Sequence, residues 1–176
     1  MSPLLITPLA ALAVSLIAAA FDWRTGRIPN WLTFPFIMAA PLAFGLTQGS
    51  GALGASLLGL VACGAAPYLL FTRNAMGGGD VKVFAAIGAI TGIRLGVEIQ
   101  LFSFMVAAVY ALGVLAWQGM LIRTLLNALW IPANLVLPRR YTREVRPELM
   151  ATVRMGGAIL TATALTIFYE YPALWL

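Results

Sequence analysis

Ala75-Met76-Gly77-Gly78-Gly79-Asp80-Val81-Lys82, followed by the apolar run Val83 to Gly92, sets one carboxylate directly behind three glycines. The carboxylate stands at the mouth of a segment that reads as membrane-buried. An ionisable side chain there costs about 2.5–3.5 kcal/mol at the bilayer centre and less near the interface, so it marks a functional site by default. The glycines explain how it is held, because residues without Cβ allow positive φ and a close backbone approach. Asp80 is therefore presented to something. Its best counterpart is Asp22, in Phe21-Asp22-Trp23-Arg24-Thr25-Gly26-Arg27-Ile28-Pro29-Asn30.

Composition settles the class. Hydrophobic residues make up 61% of the 176, charged residues 10%, and the mean hydropathy is +0.93. Apolar runs of about 20 residues, the length that crosses a bilayer, recur along the chain. The expectation is an all-α, polytopic membrane bundle: about six transmembrane helices plus one interfacial helix, forming a single transmembrane domain over residues 1–176 with no separate soluble domain. The net charge of +5 reads as an orientation signal and not as a nucleic-acid surface. Cys63 is the single cysteine and reads as a small core residue. With no histidine in the chain, a Ser-His-Asp triad and a His-Glu-x-x-His zinc site are both excluded. Acid–base chemistry falls chiefly to the six carboxylates.

Working outward, the first span is expected from Pro3 to Phe21, ending in Asp22. A signal peptide is the competing reading, opposed by the lack of a basic residue before the run. Pro29 pushes Ile28 out of helical geometry and opens the second span, Trp31 to Thr47, which Pro35 and Pro41 bend. Gln48 to Gly51 is a turn. The third span, Ala52 to Thr72, shows Gly51, Ala55 and Gly59 at the four-residue spacing of close helix packing. The fourth, Val81 to Val97, carries Gly88, Gly92 and Gly96 on one face. A tight turn is expected near Glu98 and Gln100, and a fifth span follows to Gln118. Gly119 to Pro138 reads as a helix lying in the interface, with an additional span as the alternative. Arg139 to Glu148 is an aqueous loop, and the sixth span covers Met150 to Tyr171, with Trp175 as an interfacial anchor.

Alternating across the membrane places Arg24, Arg27, Arg73, Lys82, Arg123, Arg139, Arg140, Arg143, Arg146 and Arg154 on one side and Arg94 alone on the other. The crowded side is cytoplasmic by the positive-inside rule, so both termini face outward. Asp22 and Asp80 then share one depth on the cytoplasmic side. Glu98 and Glu170 lie toward the outer side, and Glu144 and Glu148 lie in the arginine-rich loop.

Two aspartates within a few ångströms hold a proton between them. One acts as base toward water while the other, protonated, polarises a peptide carbonyl; this is aspartic-protease chemistry. Plainer roles stand beside it. An aspartate at a helix end near arginines also serves as a cap or ion-pair partner, and Lys82 tunes the pair or meets phospholipid headgroups. A proton-coupled small transporter, or a non-catalytic membrane component of a pilus or secretion machine, is the alternative, since intramembrane carboxylates mark proton paths as well.

Asp22, five residues and Ile28-Pro29-Asn30, together with Gly77-Gly78-Gly79-Asp80-Val81-Lys82 and Ala85 to Ala89, resemble the type IV prepilin peptidases, intramembrane G-x-G-D aspartyl proteases. The chain is closest to the short tight-adherence (Flp-type) members. The resemblance implies that Asp22 and Asp80 are catalytic, with Gly77, Gly78, Gly79, Lys82, Pro29 and Asn30 supporting them and neither metal nor cofactor required. It implies prepilin or pseudopilin substrates, lipid as the surroundings, no nucleic-acid partner, and a multi-pass place in the bacterial inner membrane with the active site toward the cytoplasm. The long members carry an insertion with Cys-x-x-Cys pairs and also N-methylate the product. This chain has no such insertion, so methyltransferase activity is not implied. Where the family shows Pro-Tyr-Gly before its last apolar run, this chain has Arg154-Met155-Gly156.

Overall fold

A computed structural model describes residues 3–73, 75–122 and 154–172, the side chains of residues 3–5 apart. The described chain is all-helical: α1 (Pro3–Thr25), α2 (Asn30–Gln48), α3 (Ser50–Thr72), α4 (Gly78–Trp117) and α5 (Met155–Glu170). Among the described residues, α1 to α4 are long and apolar enough to cross a membrane. Most of the expected interfacial stretch Gly119 to Pro138, the Arg139 to Glu148 loop with Glu144 and Glu148, and Trp175 lie outside the described residues. The chain divides into two compact units, Met1–Val106 with Arg154–Leu176, and Ala107–Val153. The first contains both aspartates.

Local chemistry sets the helix ends. α1 continues one turn beyond the expected Phe21 and ends where Gly26 takes φ +65° and its N–H bonds the Asp22 carbonyl at 3.0 Å. That is the left-handed glycine stop common at helix C-termini. The Thr25 hydroxyl donates to the Phe21 carbonyl over 2.8 Å, so Asp22 belongs to the last turns of α1. Pro29, at φ −71° and ψ 145°, precedes α2 in extended geometry. Only Gly49, at φ +91°, separates α2 from α3.

α4 contains the main correction. It holds the expected fourth and fifth segments, and its backbone breaks at Gly92 (φ 77°, ψ 179°), ahead of the turn expected near Glu98 and Gln100. The Phe84 and Phe104 ring centroids lie 5.6 Å apart. Twenty residues of straight helix would separate them by about 30 Å, so the two arms fold back on each other. Gln100 sits inside, 4% exposed, and its amide donates to the Cys63 carbonyl at 3.3 Å. The polar residues that suggested a watery turn are thus partly an internal helix-to-helix bond.

The first arm of α4 is the hub. Every residue from 83 to 90 is buried, the pattern of a helix that is apolar on all sides and surrounded by others. Its glycine face meets α3 at van der Waals limits. A Cβ on Gly59 would run into the Gly88 carbonyl oxygen, and one on Gly88 would lie 2.7 Å from Cys63 Cβ and 2.8 Å from Cys63 Sγ. The Ser56 hydroxyl donates across the same seam to the Ala89 carbonyl over 2.6 Å. Ala11 and Val14 of α1 meet Ile90 on another side. Leu101 and Met105 on the second arm are exposed, as suits side chains facing lipid.

Candidate functional site

The two motifs expected to cooperate come together at one end of the hub helix. Gly77 sits just ahead of α4, and the backbone N–H groups of Asp80 and Val81 bond its carbonyl at 3.2 and 3.4 Å. Asp80, in the first turn, reaches back to take a backbone hydrogen bond from Gly77. This is half of a capping box, in which an acid three residues into a helix bonds the amide at its start. A Cβ on Gly77 would stand 3.1 Å from Asp80 Oδ2, so that glycine permits the close turn.

The next two glycines serve packing. A Cβ on Gly78 would lie 3.2 Å from the Phe71 ring at the end of α3, and one on Gly79 would lie 3.1 Å from Ile28 Cβ. The Ile28-Pro29-Asn30 corner therefore rests directly against the glycine loop. One turn further along α4, Lys82 Nζ donates to Asn30 Oδ1 over 2.7 Å and lies 5.6 Å from the centre of the Phe34 ring. Lys82 thus joins the start of α4 to the start of α2.

Asp22 approaches from α1 and is only 8% exposed. Its Oδ2 accepts the backbone N–H of Gly156, in the first turn of α5, at 2.9 Å. The Arg154 guanidinium, just before α5, donates to the Trp23 carbonyl at 2.6 Å. Asp22 and Asp80 lie close enough to act on each other electrostatically. Of the expected site residues, Asp80, Gly77, Gly78, Gly79, Lys82, Pro29 and Asn30 line one junction of loop and helix ends, and Asp22 is within charge–charge reach of Asp80.

Arg154 and Gly156 are the additions. Read as sequence, Arg154-Met155-Gly156 is only a departure from a pattern. The available signal was a glycine inside the start of a helix, where no turn needs it, which points to a close approach.

The model of the type IV leader peptidase family matches residues 9–112, more than half of the chain. The chain belongs to that family. It is 34% identical over 98 residues (51% of this chain, 38% of the relative) to a prepilin leader peptidase/N-methyltransferase of Vibrio cholerae. It is 31% identical over 107 residues (56% of this chain, 40% of the relative) to one of Bacillus subtilis. The match thus spans about two fifths of these curated relatives' length. No solved structure matches the chain. Asp22, Asp80 and the residues joining their two motifs all fall within the stretch that the family model matches, whereas Arg154 and Gly156 fall beyond it.

Proposed function

We propose that this membrane protein is an aspartyl endopeptidase that removes the leader from prepilin-like precursors at the cytoplasmic face of the bacterial inner membrane. The observation that carries the reading is the arrival of Asp22 and Asp80, from the end of one helix and the start of another, within electrostatic reach of each other. Family membership and the names of the relatives supply the reaction class.

In this mechanism the ionised aspartate takes a proton from water as the water oxygen attacks the scissile carbonyl carbon. The protonated aspartate donates a hydrogen bond to the carbonyl oxygen. Collapse of the tetrahedral intermediate breaks the C–N bond, and the leaving nitrogen takes up a proton from the pair. Water is consumed, and one acid and one amine are released. The Flp-type substrate is the finer reading, suggested by the resemblance of the two aspartate motifs to the tight-adherence members. Peptide cleavage without methyl transfer is proposed alongside it, since the single cysteine can form no Cys-x-x-Cys pair.

Co-expression with a short pilin precursor tests this, with Asp22→Asn and Asp80→Asn compared against wild type at equal membrane levels. Each variant should slow processing at least about 100-fold, the scale of a lost acid or base. Processing at the wild-type rate in either variant removes that residue from the mechanism, and in both it overturns the reading.

A further inference from the structure

The start of α5 bears on the site in a way that the two motifs do not require. Gly156 gives its backbone N–H to Asp22 Oδ2 at 2.9 Å. It also has no room for a side chain: a Cβ there would lie 2.8 Å from Asp22 Cβ, 2.9 Å from Oδ2 and 3.0 Å from Ala19 Cα. The N–H groups of a helix's first turn lack partners within the helix, so the bond serves both sides. It satisfies an orphan donor of α5 and it occupies one of the two Asp22 oxygens. Immediately before it, Arg154 Nη1 donates to the Trp23 carbonyl at 2.6 Å, pinning the backbone next to Asp22 to the same helix end. Two contacts from one helix start thus converge on one carboxylate and its neighbour.

We propose that Arg154 and Gly156 are positioning residues for Asp22. They hold Oδ2 in place and leave Oδ1 as the oxygen free to act on water or on Asp80. The proposal deepens the peptidase reading and rests on it for its kinetic consequence, but the contact itself can be read without activity. Nothing in it needs α5 to touch substrate. It assigns a purpose to the place where this chain has arginine and methionine ahead of the glycine.

Asp22 and Asp80 are the only aspartates in the chain, so aspartate labelled with carbon-13 at the side-chain carboxyl gives two resonances in the full-length protein in detergent. Asp22→Asn and Asp80→Asn assign them. Gly156→Ala and Arg154→Ala are expected to move the Asp22 resonance and leave that of Asp80 near its wild-type position.

In cleavage assays on a purified prepilin, a displacement of about an ångström predicts a fall in kcat of up to about 100-fold for Gly156→Ala, with KM changed less than about twofold. Arg154→Ala should lose less, and Arg154→Lys, which keeps a donor, should recover part of it. Arg94→Ala supplies the control, because it cuts the 3.1 Å pair to Glu170 at the far end of α5 and should leave both the resonance and kcat unchanged.

An unmoved Asp22 resonance in folded Gly156→Ala overturns the proposal. Should that variant fail to fold, the resonance in Arg154→Ala decides alone. Equal losses of kcat in Arg94→Ala and Arg154→Ala would also overturn it, by showing that α5 only braces the bundle. If Asp22→Asn and Asp80→Asn both cleave normally, the peptidase reading fails instead, and the two resonances still report whether α5 holds Asp22.

Discussion

The Lys82 ammonium bonds the Asn30 side-chain oxygen across 2.7 Å, although the two residues are 52 apart in sequence. The bond ties the second turn of α4 to the first residue of α2, and Gly79 packs against Ile28 beside it. The placement of Asp80 relative to the α1–α2 corner thus depends on one polar tie and one close glycine contact.

That tie should appear in a double-mutant cycle. Lys82→Met, Asn30→Ala and the double variant, followed by thermal unfolding in detergent, are expected to show a coupling of about 0.5–1 kcal/mol. Asn30 is exposed, and solvent keeps the value below the range usual for a hydrogen bond to a charged group. Strictly additive effects would mean that the two side chains act independently.

The seam between α3 and α4 ranks two substitutions. Gly59→Ala drives a methyl into the Gly88 carbonyl, and overpacking of this kind costs about 1–3 kcal/mol. Ser56→Ala removes only the 2.6 Å bond to Ala89, and interhelical hydrogen bonds in membranes average about 0.6 kcal/mol. Unfolding measurements should find the glycine variant the more damaged. The reverse order would mean that the seam is looser than its contacts imply.

Gly92→Ala tests a different cause. No heavy atom lies within 4 Å of a Cβ built there, yet φ is +77°. The penalty is therefore backbone strain alone, about 1–3 kcal/mol for a conformation reserved to glycine. Gly113→Ala, with equal space in helical backbone, should be neutral or stabilising, and the difference in melting temperature between the two measures the strain.

The charge pair at the other end of α5 should matter little. Arg94 is 78% exposed in its 3.1 Å contact with Glu170, and exposed ion pairs contribute about 0–1 kcal/mol. Arg94→Ala should melt within a few degrees of wild type, less displaced than Gly59→Ala.

Much of this was legible beforehand, for reasons that can be named. Apolar length marks the helices, and alternating charged loops assigns Asp22 and Asp80 to one side of the bundle, where the fold sets them within charge–charge reach. The turn was not legible. Gly88, Gly92 and Gly96 repeat at one spacing on one face, so sequence alone does not say which of them bends and which merely pack. Glu98 and Gln100 drew the turn toward themselves because a polar pair suggests water, whereas the Gln100 amide is satisfied by a carbonyl on α3. The partners of Asp22 were hidden for another reason. The bond to Gly156 joins residues 134 apart, and a backbone N–H donor leaves no mark in the identity of the residue that carries it.

The 16 residues of α5 have a consequence for the surroundings. At 1.5 Å per residue they extend about 24 Å, several ångströms short of a typical hydrocarbon core of about 30 Å. A short apolar segment is accommodated by local bilayer thinning or by flanking residues reaching toward the headgroups. Asp22 meets the first turn of this helix through the Gly156 N–H, so the depth at which that short helix settles is also the depth of the carboxylate.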